Sequence, residues 1–300
     1  MQSTGLRYFL EVARSGSIAD ASVRLNVAGS AISRQIAKLE RELGVELFER
    51  RPRGMVPSAA GEVLAAHARR TTLDAERVIT DIRELQGPHR GFVRLASYEG
   101  FAVDILPEAI AKFRREYPGV RFHLWVGSSI EIVRLIHDGE ADIGTTFNYA
   151  PPRGVKIEQI IRRPMHALIP RHHPLAGHMS VTMAETLPYA VALPDKDRTQ
   201  RHLIDTAFAM QGLTIDPVLS TNSISALRRF ADAEGCIHFS SAIRVPGRVE
   251  VGEYIAIPVS DDVMTDSVLQ ILTMEGRVLP AVVQTFLNQL LTDISITHQK

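Results

Sequence analysis

The chain has 300 residues, with 34 basic and 34 acidic side chains, a formal net charge of zero and 45% hydrophobic composition. That length exceeds what one small helical unit needs and implies at least two domains with sizeable cores. A single cysteine, Cys236, excludes an intrachain disulfide and a thiolate cluster, while the absence of a signal-peptide core and of any span-length apolar run points to a cytoplasmic protein with no membrane partner.

Leu6, Phe9, Leu10 and Ala13 form the inward stripe of a first helix. Ser17 is placed to cap a second, in which Ile18, Ala21 and Leu25 share one face. Asn26 and Gly29 supply a short break, after which Ile32, Ile36, Leu39 and Leu43 repeat the stripe, giving helix, tight turn, helix. Turning that stripe inward sends Ser30, Ser33, Arg34 and Ala37 outward. A helix that enters the major groove needs such a face: small residues let the backbones approach, an arginine forks onto a guanine edge, and a helix N-terminus favours phosphate. Glu46 to Arg50 then alternates like a strand, Pro52 and Gly54 make a turn, and Met55-Val56 returns. Arg50, Arg51 and Arg53 crowd one tip, where their repulsion is unfavourable without an anionic partner. Residues 1–57 carry nine basic against six acidic side chains, so the neutral total hides a positive start. Ser30, Ser33, Arg34, Gln35, Lys38, Arg50, Arg51 and Arg53 are the candidate contacts to a double-stranded DNA operator. The competing reading is a surface helix pair with solvated charges.

Residues 5–61 resemble the winged helix-turn-helix of the LysR-type transcriptional regulators. The likeness lies in Leu6-Arg7-Tyr8-Phe9-Leu10-Glu11-Val12-Ala13, Gly16-Ser17-Ile18, Ala31-Ile32-Ser33-Arg34-Gln35-Ile36, Leu39-Glu40, Leu43-Gly44-Val45, Leu47-Phe48-Glu49-Arg50 and Ala60-Gly61. One departure stands out: the family places a polar cap and a glutamine before the recognition helix, where this chain has Ala28 and Gly29. A helix start without a side-chain oxygen is weaker by about 1 kcal/mol.

Past the hairpin, Ser58 is placed to cap a long helix with Glu62 in its first turn, and Gly87-Pro88 stops it. Leu64, Ala68, Thr71, Ala75, Val78, Ile82 and Leu85 recur at alternating steps of four and three, a heptad seam that one helix cannot bury alone. Packing on the chain's own body would satisfy it. The resemblance instead implies a dimerisation linker, with a homodimer or homotetramer as the assembly. A two-fold pair would present two recognition helices about 34 Å apart, or a multiple of it, on an interrupted inverted repeat.

From Gly91 strands and helices alternate. Strands are expected at Phe92–Ala96, Val120–Val126 and Ile143–Phe147, with helices at Val103–Tyr117 and Ser129–Asp138. Further strands follow at 155–160 and 165–169, then 190–193, 217–220, 236–239, 254–259 and 267–273, with helices at 199–210, 223–233 and 280–291. Two groups of such units, joined by crossings near 161–164 and 264–268, imply two lobes with a ligand cleft between them. The LysR resemblance extends here through His137-Asp138-Gly139-Glu140-Ala141-Asp142-Ile143-Gly144 and His173-Pro174-Leu175-Ala176. It implies an α/β chain with an all-α winged helix-turn-helix head, a long linker helix and a two-lobed, periplasmic-binding-protein-like effector domain. The expected divisions are a DNA-binding domain at 1–57, a linker at 58–89 and an effector domain at 90–300. Lobe I takes about 90–162 and 267–300, and lobe II about 163–266.

Strand ends and helix starts offer Ser97, Tyr98, Ser128, Ser129, Thr146, Phe147, Asn148, Arg198, Thr199 and Asn222 to a small-molecule effector, with organic or aromatic acids the implied class. Each hydroxyl among them is also an ordinary helix cap. His172 and His173 have no third ligand at metal-like spacing and are expected at the surface, so neither metal nor cofactor is expected. No phosphate loop or nucleophile elbow appears, which leaves catalysis without a warrant. The resemblance implies that effector binding re-places the DNA-binding heads and their contact with RNA polymerase. The alternative is an α/β enzyme or solute-binding domain carrying an incidental helical head.

Overall fold

The computed structural model describes residues 3–51, 54–84, 91–147, 150–151, 153–241, 249–251 and 253–296. The chain divides into two units, Met1–Pro88 with Gly276–Pro280, and His89–Glu275 with Ala281–Lys300.

In the first unit α1 (Thr4–Ser15), α2 (Ile18–Leu25) and α3 (Gly29–Leu43) close on a core of Phe9, Val12, Ala21, Ile32, Ile36 and Leu47. Ser3 and Ser17 cap α1 and α2, accepting from the Leu6 and Asp20 amides. Asn26 ends α2 in the left-handed region (φ 53°), which an asparagine tolerates, and turns the chain into α3. The hairpin follows as β1 (Phe48–Arg51) and β2 (Gly54–Pro57), paired antiparallel. Phe48 sets its ring 5.1 Å from that of Phe9, so the hairpin belongs to the same core. Helix α4 (Ala59–Glu84) starts where Ser58 Oγ accepts from the Gly61 amide, as its cap spacing predicts. Ala65 joins the head core, while Val78, Ile79 and Ile82 stay exposed. Leu85 and Gly87-Pro88 lie outside the described residues.

The second unit begins with β3 (Gly91–Ser97), α5 (Glu99–Asp104), α6 (Leu106–Glu116), β4 (Val120–Val126), α7 (Ser129–His137), β5 (Ile143–Phe147) and β6 (Val155–Arg162). The helix expected over Val103–Tyr117 is thus two helices. Pro107 is the reason: it has no amide proton to give and fits the first turn of a helix, so it marks a start and not a middle. Lobe II follows with β7 (His166–Pro170), a 3-10 turn at Pro174–Gly177, α8 (Met183–Thr186), β8 (Ala192–Pro194), α9 (Thr199–Met210) and β9 (Leu219–Thr221). It continues through α10 (Ile224–Glu234), β10 (His238–Ser240), β11 (Val249–Val251), β12 (Tyr254–Pro258) and α11 (Asp262–Thr265). The chain returns to lobe I as β13 (Val268–Met274) and α12 (Ala281–Ile296).

Lobe I is built on the sheet β4-β3-β5-β13-β6, parallel through β4, β3 and β5, with β13 antiparallel to β5 and β6. Asp142 pins its first strand, accepting from the Arg94 amide at 2.8 Å and from its guanidinium at 2.9 Å. Phe286 of α12 packs edge-on against Phe113 and Phe122. Lobe II holds the antiparallel sheet β10-β7-β12-β11 and the parallel pair β8-β9. The two crossings between lobes run side by side. The Arg163 amide donates to Ser267 O (2.8 Å), the Met165 amide donates to Met264 O (3.0 Å), and Ser267 Oγ donates to Arg163 O.

Candidate nucleic-acid interface and effector cleft

Ser30, Ser33, Arg34 and Lys38 are all exposed and fall at steps of three, one and four along α3, so they share its outer face. Arg34 is exposed and donates from Nε to Ser30 O of its own helix at 3.2 Å, and among the described residues its terminal nitrogens have no partner and can meet a base edge. Lys38 lies 3.7 Å from Glu42, an exposed pair that a phosphate readily replaces. Gln35 is set apart from this group: it is half-buried, near Gly5 of α1. Ala28 provides no side-chain cap for α3, as the sequence implies.

The hairpin is fixed to the elbow between α1 and α2, where the Met55 amide donates to Gly16 O at 2.7 Å. Gly54 (φ 131°) makes that approach possible, since a Cβ there would lie 2.5 Å from the same oxygen. Gly61 does the same for the start of α4, where a Cβ would meet Leu47 O at 2.1 Å. Arg51 is exposed and pairs with Glu49 at 3.1 Å. Arg53 and the side chain of Arg50 lie outside the described residues.

In the second unit, the starts of α5, α7, α9 and α10 converge on a cavity of about 40 Å³. Its walls include Tyr98, Ser128, Ser129, Phe147, Arg198, Thr199 and Asn222 from the expected set, joined by Glu99, Gly127, Pro194, Gln200 and Ile224. Ser97 and Thr146 are not in that wall. Both are fully buried, Ser97 Oγ lying 2.7 Å from Thr145 Oγ1 and Thr146 Oγ1 donating to Gln270 at 3.1 Å. On a strand successive side chains face opposite ways, and these two serve the interior of lobe I. Asn148 lies outside the described residues.

Ser128 is engaged as a cap: its hydroxyl and the Glu131 carboxylate form a reciprocal capping box at the start of α7. Hydrogen bonds from Ser128 hold the Glu131 carboxyl below its ordinary range. Ser129 reaches across the cleft, its hydroxyl 2.9 Å from that of Thr199 in lobe II. Arg198 donates to Asn222 O at 3.0 Å, and its buried Nε lies 3.8 Å from the Asp197 carboxylate with no hydrogen-bond partner among the described residues. Burial pushes the Tyr98 hydroxyl up to about 12, against an opposing hydrogen bond with Ser241, so it stays protonated and able to donate.

The sequence does not single out Glu99, Asp104 or Arg228. Glu99 reads locally as an acidic residue in a helix's first turn; its partners lie 124 to 126 positions away. His172 is exposed as expected, whereas His173 is half-buried, accepts from the Leu175 amide and packs on Tyr189.

A helix-turn-helix head with a pinned wing, followed by a two-lobed α/β body, is the architecture of a DNA-binding regulator with a ligand-binding domain. Residues 4–62 match the family model for the bacterial regulatory helix-turn-helix protein, lysR family, and residues 86–295 match the LysR substrate binding domain. The chain belongs to the LysR family of transcriptional regulators. It is 34% identical over 191 residues to the transcriptional dual regulator GltC of Bacillus subtilis, covering 62% of this chain and 62% of that protein. A full-length point variant of OxyR from Pseudomonas aeruginosa has the same fold, with a TM-score of 0.63 and 20% identity over 99% of this chain and 95% of that one. Full-length CbnR in complex with its target DNA superposes with a TM-score of 0.57 and 20% identity over 97% and 99%. No described helix is long and apolar enough to cross a membrane.

Proposed function

We propose that this protein is a sequence-specific, effector-responsive regulator that reads duplex DNA with Ser30, Ser33, Arg34 and Lys38 and grips the backbone with its wing arginines. The observation that carries the reading is the exposed outer face of α3, whose Arg34 guanidinium sits among small side chains beside a wing tied to the same core. Arg34 supplies base discrimination, and Arg51 and Arg53 supply phosphate contacts. The protein works as a homodimer through α4, and by higher assembly as a homotetramer, in the cytoplasm. Its second unit binds a small organic or aromatic acid, using the Arg198 guanidinium and the hydroxyls at the helix starts. That chemistry is recognition, not turnover, and the protein is no enzyme. Its action on RNA polymerase follows from where the effector leaves the heads.

A mobility-shift series on an operator fragment and a scrambled duplex tests this. Arg34→Ala removes about 1 to 3 kcal/mol of discrimination between the two, while Arg51→Ala weakens both alike and lowers the salt slope. Equal behaviour of the two variants would overturn the division between base and phosphate contacts. Indifference of the wild type to every duplex at low salt favours the enzyme or solute-binding alternative.

A further inference from the structure

Helix α10 begins in lobe II, yet its first amides are satisfied from lobe I. The Glu99 carboxylate, on the first residue of α5, accepts from the Ile224 amide at 2.7 Å, from the Ser225 amide and Ser225 Oγ at 3.0 Å each, and from Ser223 Oγ at 3.3 Å. At the other end of α5, Asp104 meets Arg228, one turn into α10, in a two-pronged pair at 2.8 and 2.6 Å. These links, with the Ser129–Thr199 bond, join the lobes around one small cavity.

Free amides and the dipole make a helix start the place where a ligand's anion is received. Here the chain supplies that anion itself. Burial works against the charge on Glu99, but the hydrogen bonds from Ser225, Ile224 and Ser223 outweigh it and hold the carboxyl below its ordinary range. A carboxylate tethered to the same fold has an effective concentration in the millimolar range or above, so a free carboxylate at lower concentration loses the competition.

We propose that Glu99 is an intramolecular occupant of the anion seat at the start of α10, a latch that ties lobe I to lobe II with no small molecule bound. A free carboxylate reaches α10 only by displacing it. That effectors enter this cleft rests on the function proposed above; the latch itself needs neither DNA nor effector to be tested.

Hydrogen exchange of the full-length protein, read at the Ile224 and Ser225 amides by mass spectrometry, compares wild type, Glu99→Ala and Glu99→Gln. Each is measured with sodium acetate and with sodium chloride at equal ionic strength. Losing charge-assisted bonds speeds exchange at those amides about tenfold in Glu99→Ala, and acetate restores protection where chloride does not. Wild type is indifferent to acetate. Glu99→Gln keeps the size of the side chain and loses the charge, and its exchange lies between the two, which carries the test if the alanine variant fails to fold. Unchanged exchange in both variants overturns the latch. So does a rise spread evenly over lobe II that acetate does not reverse, because Glu99 is then only a packing residue. A negative result here leaves the operator measurements untouched, and a failed operator shift leaves this one untouched.

Discussion

Ala28 opens the recognition helix with nothing to offer the amides that follow it, whereas Ser3 and Ser17 each accept one at the two preceding helices. Its backbone already has the extended geometry of a cap (φ −63°, ψ 135°), so only the oxygen is missing. Ala28→Ser is expected to stabilise the protein by about 1 kcal/mol in urea melts, and no change would mean that the open amides are satisfied elsewhere. His238 carries the opposite burden. It is 2% exposed, and among the described residues neither its ring nitrogens nor the Tyr254 hydroxyl beside it has a hydrogen-bond partner. Burial, reinforced by nearby Arg228, lowers its pKa from 6.5 to about 4. The unfolded chain takes up the proton near 6.5 and the folded chain near 4, so acid favours unfolding within that window. Stability is expected to fall by about 2 kcal/mol between pH 7 and pH 5, and His238→Phe to flatten that part of the urea-melt profile. An unchanged slope would show that other groups set it.

Helix α4 has two characters along its length. Its first half is sealed by small side chains, with Ala65 and Ala68 buried, and its second half leaves Val78, Ile79 and Ile82 between 42 and 54% exposed. Each such side chain, about half exposed, would yield about half of the 1.5 to 3 kcal/mol of a full burial, a driving force for pairing two copies of the helix. Val78→Glu with Ile82→Glu should shift the sedimentation profile from dimer to monomer and weaken operator binding. A wild type that sediments as a monomer at micromolar concentration would remove the basis for the seam's role. The hairpin makes the complementary point: close approach at Gly54 and Gly61 is what joins wing, elbow and α4, and neither glycine's partner is local in sequence. Periodicity reveals long elements well. The expected spans of β4, β5 and α9 coincide with the observed ones, while α8, β11 and α11, of three or four residues each, have no counterpart among the expected elements. The split at Ile105 was legible in Pro107, but the apolar pattern runs through both helices and hides it.

The head, the long helix and the two-lobed body were all readable, because each rests on hydrophobic period, caps and turn residues that lie close together in the chain. The cleft was readable only in part. Ser129, Thr199 and Arg198 sit at helix starts, which sequence can locate; the lobe-to-lobe links through Glu99 and Arg228 depend on pairings across 124 positions or more, which it cannot. Occupancy of the cavity has a thermodynamic consequence. An acid that binds only the folded protein raises its stability by about 2.7 kcal/mol at a hundred times its dissociation constant, visible as a higher melting temperature in a screen of small carboxylates and aromatic acids. If no member of that screen moves the melting temperature, the effector belongs to another chemical class.

The paired crossings between the lobes limit what any bound metabolite can do. Stitched together through Arg163, Met165, Met264 and Ser267, they act like the sewn spine of a book. The covers can swing, but sliding one along the gutter would tear the stitches. A molecule sensed in the cleft is therefore reported by rotation of one lobe on the other, and two chemically unlike compounds that set the same rotation would send the same message.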